Sequence, residues 1–183
     1  MNIIILLGIH LMTCCKSKSN DHNKSATGIV KSSIFENDSI KCHDIAVKTL
    51  KIGDSKDKFE RLLGKPDSIN QVIDSVDSPA FEYEALFYDE SEFHFYKGLF
   101  FGFRINSSKF DLNGIVVGDN ISKFERKYPK SFNNGLHKGY NEFVIECSDA
   151  CKLGDSKLLG PDSIIISYDD NKVIKRIGAS FTY

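Results

Sequence analysis

Two stretches decide how this chain folds: GDSKDKFERLLGK at residues 53–65 and GDNISKFERKYPK at residues 118–130. Set over one another without a gap they agree at seven of thirteen positions, at an offset of 118 minus 53, or 65 residues. An internal repeat is weighed before any motif, because it signals a repeated structural unit. Each stretch has the physics of a short capped helix. Asp54 and Asp119 stand at the N-cap position, where a carboxylate can accept the unpaired first-turn amides. Phe59, Leu62 and Leu63 recur at i, i+3 and i+4, and Ile121, Phe124 and Tyr128 at i, i+3 and i+7, so each copy carries one apolar stripe. The Lys, Glu and Arg of the shared KFER word face water and its Phe is the buried knob. Asp57 and Arg61 form a favourably ordered i, i+4 pair. Gly64 with Pro66 stops the first helix, and Pro129 stops the second.

Outward from these helices the apolar period changes to two. Residues 80–89, 92–97 and 99–106 read as strands, the last two joined at Lys97-Gly98. Asn113-Gly114 is a strong hairpin signal and places a strand from Ile115 to Val117 just before the second helix. Residues 142–147, 163–169 and 172–182 supply further strands, with a turn at Asp170-Asn171. Residues 45–52 form the matching strand before the first helix. The expected fold is therefore α+β: two tandem repeats, residues 41–108 and 109–183, each a short helix followed by an antiparallel β-meander.

Composition limits the function classes. The 24 basic and 25 acidic residues give a net charge of −1, and the lysines are scattered, which argues against a nucleic-acid partner. No phosphate-binding glycine loop, zinc-protease helix, nucleophile elbow or calcium loop occurs, so neither a metal nor a small-molecule cofactor is expected. Aromatic mass comes from 14 Phe and 7 Tyr, without tryptophan.

The N-terminal MNIIILLGIHLMTCC has an apolar run from Ile3 to Met12, far short of the ~20 residues a spanning helix needs and suited to a secretion signal. Leu11-Met12-Thr13-Cys14 resembles a bacterial lipobox. That resemblance implies a signal peptide at residues 1–13, cleavage before Cys14 and lipidation (diacylglycerol, palmitate) of Cys14, with Cys15 a second candidate. An ordinary secretory signal is the plainer alternative. Residues 14–40 are Ser-, Lys- and Asn-rich and too poor in apolar side chains to fold, so they read as a flexible lipidated tether. Without an early acidic pair after Cys14, the expected address is the outer membrane, with the body in the periplasm.

The pieces G-D-x-x-x-x-F-x-x-x-x-G-x-P, aromatic strands and F-D-L-N-G-I-V resemble the small lipoprotein subunit of the outer-membrane β-barrel assembly machine. They also resemble the two-repeat β-lactamase inhibitor protein, which shares a helix-plus-sheet plan. Gly53, Phe59, Leu63, Gly64, Pro66, Phe110, Asp111, Asn113, Gly114 and Val116 carry the resemblance, and Pro129 departs from it where the first copy has Gly64. These are structural residues, so the resemblance speaks for fold.

Candidate chemistry is sparse. Cys147 and Cys151, separated by three residues, could close a local disulfide in an exported protein or remain thiols. Cys42-His43-Asp44 holds the letters of a triad, but a triad is assembled in space rather than from neighbours. His94 alternates with Phe93 and Phe95 and so faces away from them. Asp-Ser-Ile/Val at Asp38, Asp67, Asp74 and Asp162 resembles an O-glycosylation sequon of exported proteins, or marks polar turns entering strands. The leading expectation is a membrane-anchored, non-enzymatic envelope lipoprotein that binds a protein through its aromatic strands, with Tyr83, Tyr88, His94 and Tyr96 on the contact surface. The alternatives are an inhibitor or immunity-type lipoprotein blocking an enzyme or toxin, and a cysteine-dependent enzyme pairing Cys42 or Cys147 with His43 or His137.

Overall fold

The computed structural model describes residues 39–74, 81–138, 141–149, 151–153 and 160–180. The expected leader, Cys14 and almost all of the expected tether lie outside the described residues. A 3-10 turn at Cys42–Asp44 leads into β1 (Ala46–Val47) and β2 (Leu50–Lys51), then helix α1 (Lys56–Leu63). Strands β3 (Ser68–Asp74), β4 (Phe81–Tyr88), β5 (Ser91–Tyr96) and β6 (Leu99–Ile105) follow. Then come β7 (Asp111–Leu112), β8 (Ile115–Val116), α2 (Ser122–Lys127), α3 (Pro129–Asn134), β9 (Leu136–Lys138), β10 (Glu142–Glu146), β11 (Ser163–Tyr168) and β12 (Ile174–Ser180). The small strands form a four-stranded sheet in the order β2-β1-β7-β8, and the rest an eight-stranded sheet in the order β3-β4-β5-β6-β12-β11-β10-β9. All pairings are antiparallel, so the chain is α+β with mostly antiparallel sheet.

The tight turns follow from local sequence. Asn113 and Gly114 both have positive φ (51° and 82°), as a primed two-residue hairpin turn between β7 and β8 requires. Lys97 and Gly98 do the same between β5 and β6. Residues 45–52, expected as one strand, instead fold back at Lys48 into the β1–β2 hairpin. β3 was not expected at all.

One face of the large sheet is covered by the helices and the small sheet, and the core lies between. Phe59 of α1 is wholly buried and sits against the rings of Phe95 (4.9 Å, edge-on) and Phe100 (4.5 Å), with Phe93 at 5.4 Å. Such ring pairs each contribute about 0.5–1.5 kcal/mol beyond the area they bury. Phe124 of α2 is equally buried and lies against Tyr128. Val47, Leu50, Leu112 and Ile115 of the small sheet are all inaccessible. The α1 stripe is narrower than its spacing suggests, because Leu62 is 51% exposed.

The two Gly-Asp loops make matching bonds. Asp54 accepts Lys51 N–H at 2.7 Å and the Lys58 ammonium at 2.7 Å; Asp119 accepts Val116 N–H at 2.9 Å and the Lys123 ammonium at 2.7 Å. Gly53 N–H donates to Phe100 O, and Gly118 N–H to Ile174 O. Neither aspartate is the helix N-cap. Ser55 caps α1, its hydroxyl accepting Lys58 N–H, and α2 begins without a side-chain cap on Ile121. The carboxylates close the loop behind the helix rather than its first turn. The i, i+4 ion pair at α1 is Asp54–Lys58 rather than Asp57–Arg61. Gly64 does take positive φ (86°) and returns its N–H to Glu60 O, stopping α1. Pro129 ends α2 and opens α3 at its first turn, where no N–H is missed.

The cysteines correct a second expectation. Cys151 is bridged to Cys42, 109 residues away with Cα atoms 5.6 Å apart, and Cys147 is a free thiol. The expected Cys147–Cys151 bridge does not form because the segment after β10 wraps the start of the body. Ser148 N–H donates to Ile40 O at 3.0 Å, and Asp149 accepts Cys42 N–H at 2.6 Å and faces His43 Nδ1 at 2.5 Å. Ile40 N–H in turn donates to Ser131 of α3 at 2.8 Å. Residues 40–44 are thereby fastened to the second half of the chain.

Candidate functional site: a groove on the open sheet face

The face of the large sheet away from the helices is the candidate site. Alternation along β4 and β5 brings Tyr83, Glu92, His94 and Tyr96 to it, while Phe93 and Phe95 turn into the core. Two β-bulges decide the rest. An irregularity between His94 and Phe95 opposite β6 lets Phe100 and Phe103 reach the core while Phe101 turns to the open side. There Phe101 packs edge-on against Tyr83 (5.4 Å) and Phe81 (5.6 Å) and lies 5.9 Å from His94. Phe81 also stacks on Tyr96 at 4.8 Å. A second irregularity between Ser167 and Tyr168 brings Arg176 onto the open face opposite Ser167, although Ile174 two residues before it is buried.

A groove of about 330 Å³ runs across this face from Asp74 and Tyr83 through His94, Phe101 and Arg104 to Arg176 and Glu142. Gly178, opposite Arg104, forms part of its floor. Each side has a charge-paired cluster. Glu92 accepts from Arg104 at 3.2 Å and lies 2.9 Å from His94 Nε2. Glu142 accepts from Arg176 at 2.8 Å and from the Ser167 hydroxyl at 3.3 Å, and Arg176 also donates to Ser167 at 3.0 Å. The hydrogen bond with His94 holds the Glu92 carboxyl below its ordinary value despite burial, and burial pushes the Tyr83 phenol up, with Glu92 adding to it. The groove thus offers the partly exposed rings of Tyr83 and His94 over a buried Phe101, and two guanidiniums with donors to spare, an arrangement suited to recognition.

Of the expected contact residues, Tyr83, His94 and Tyr96 share this face. Tyr88 does not: it is 6% exposed on the helix-covered side, against Phe93, and its hydroxyl donates to Gly64 O at 3.1 Å. It stands five positions after Tyr83, an odd offset, so the strand pleat puts the two on opposite faces. Arg104, Arg176, Glu92 and Glu142 were missed; alternation alone could have offered Glu92 and Arg104, but not Arg176. Away from the groove, Cys42-His43-Asp44 is a turn whose cysteine is bridged. Burial, with Asp149 and Asp162 adding, pushes the Cys147 thiol up to about 12. Of the four Asp-Ser serines, Ser68 opens β3, Ser163 opens β11 bonded to its own Asp162, Ser39 precedes the body and Ser75 lies outside the described residues. The His137 side chain also lies outside them.

Comparison with protein-family models, curated proteins and solved structures gives no match.

Proposed function

We propose that this is a lipid-anchored, non-enzymatic protein of the bacterial cell envelope that binds another envelope protein through the open face of its large sheet. The observation that carries the reading is the groove: a wall of Tyr83, His94 and Phe101 beside two Arg–Glu clusters. An antiparallel sheet covered on one face leaves the other for recognition. A toxin- or enzyme-blocking protein would use the same surface. Thiol chemistry is less favoured, because Cys42 is bridged and the Cys147 thiol is held protonated at neutral pH.

The Leu11-Met12-Thr13-Cys14 stretch supports lipidation at Cys14, and the lack of an early acidic pair after it supports an outer-membrane anchor with the body in the periplasm. The body itself is a tandem duplication on this reading. Its support is the 65-residue offset between Asp54 and Asp119 with their matching bonds, and the β1–β7 contact at Val47 and Leu112, also 65 apart. A short helix before four strands in each half agrees with it.

Two experiments test the reading. Metabolic labelling with a palmitate analogue should mark the full chain and fail in Cys14→Ala; no label in the parent removes the anchor. Affinity capture from detergent-solubilised envelope should recover a partner that is reduced at least tenfold by Tyr83→Ala with Arg104→Glu. A partner retained by that variant sinks the open-face assignment.

A further inference from the structure

We propose that the protein forms a two-fold dimer in which β3 of one copy pairs antiparallel with β3 of a second copy, continuing the large sheet across the join. Among the described residues β3 is one edge of that sheet. Edge strands are ordinarily guarded by shortness, a lysine, a proline or a bulge, because an unpaired row of amides invites another strand. β3 has none of these. It reads SINQVID, runs seven residues in unbroken register against β4, and carries its one charge, Asp74, at its end. Ile69 and Ile73 on it are 47% and 65% exposed. The opposite edge, β9, is three residues long.

The spacing about Gln71 selects a second copy as the occupant. Ile69, Gln71 and Ile73 share a face. A two-fold axis at Gln71 sets Ile69 opposite the second copy's Ile73, Ile73 opposite its Ile69, and Gln71 opposite its own equivalent. On the other face Asn70 meets Val72 and Ser68 meets Asp74, so no like charges oppose each other. This arrangement closes at two copies. Pairing β3 with a neighbour's β9 would be head-to-tail, and too short to use the strand. The inference is independent of what the groove binds.

Cross-linking tests it in the full chain carrying Cys14→Ser, Cys15→Ser and Cys147→Ser, with Cys42 and Cys151 left bridged. Facing Cα atoms at an antiparallel two-fold are ~4.5–5.5 Å apart, within disulfide reach. Under mild oxidation, Gln71→Cys should therefore run as a covalent dimer on a non-reducing gel. Ile69→Cys and Ile73→Cys should each stay monomeric alone, their own copies being ~13 Å apart, yet cross-link when the two variants are mixed. Adding Ile73→Lys to Gln71→Cys should cut the dimer at least tenfold while the circular dichroism spectrum stays that of the parent. The proposal is overturned by no dimer from Gln71→Cys, by equal cross-linking of all three single variants, by a yield that Ile73→Lys leaves unchanged, or by Gln71→Cys cross-linking to a different protein instead of to a second copy.

Discussion

Glu92 joins His94 to Arg104 on the open face, and its carboxyl is held below its ordinary value of 4.5 chiefly by the hydrogen bond from His94. A carboxyl lowered in the folded state stabilises the fold above its unfolded value, and that contribution is lost as pH falls through the folded one. Stability should therefore decline as pH drops below about 4.5, and Glu92→Gln should flatten that acid limb in melts recorded across it. The alkaline side has the opposite sign. Burial, with Glu60 and Asp67 adding, pushes the Tyr88 phenol from 10.0 up to about 12, so its stabilisation is complete below 10 and lost as pH rises towards 12. Tyr83 and Tyr128 are also raised by burial, so a spectrophotometric titration should show several late phenols, and Tyr88→Phe should remove one of them; an unchanged curve would contradict the buried placement. Tyr88 also shows what the sequence conceals at this scale. Aromatic identity suggested contact for Tyr83 and Tyr88 alike, whereas the pleat separates them, one to the groove and one to Gly64 O.

Among the elements, α1 and the loop before it set the cost of change. Phe59→Ala empties a site enclosed by Phe93, Phe95 and Phe100 and should cost about 3–5 kcal/mol by chemical denaturation. Asp54→Ala and Asp119→Ala each remove an acceptor from a loop amide and a lysine, so they should cost similar amounts, about 1–2 kcal/mol. Unequal costs would mean that the two loops carry different loads. The existence and ends of these helices were legible because Gly64, Pro66 and Pro129 act locally. The cap slipped by one residue, from Asp54 to Ser55, because both can accept first-turn amides. β3 was hidden because Ile69, Val72 and Ile73 follow no period of two, as an edge strand with both faces partly wet need not. Arg176 was hidden by a bulge, which turns a side chain over without changing a letter of the sequence.

At the scale of the whole molecule, the Cys42–Cys151 bridge decides how the first residues of the body are held. Three cysteines of the body allow three pairings, and sequence nearness favoured Cys147 with Cys151. Only the packing of residues 147–149 over residues 40–42 brings Cys42 to Cys151, and nothing within either segment encodes that meeting. Closing a loop of 109 residues restricts the unfolded chain strongly, so replacing both cysteines by alanine should cost about 2–5 kcal/mol. Gly160 is the close neighbour of the bridge: a Cβ there would lie 2.9 Å from Cys42 Sγ, 3.0 Å from Cys151 Cβ and 3.0 Å from Ile52. Gly160→Ala must therefore push the bridge or the chain aside, at about 1–3 kcal/mol. Gly178, whose added Cβ would meet only Phe103 O at 3.6 Å, should tolerate alanine without loss of stability. In the doubly substituted protein without the bridge, Gly160→Ala should cost measurably less than in the parent, because Cys42 Sγ is no longer there to meet. Equal costs in the two backgrounds would locate the strain at Ile52 or at the Cβ of residue 151, which alanine retains. A non-reduced digest should first yield one linked peptide pair containing Cys42 and Cys151, and a Cys147–Cys151 link in its place would overturn this account of the clasp.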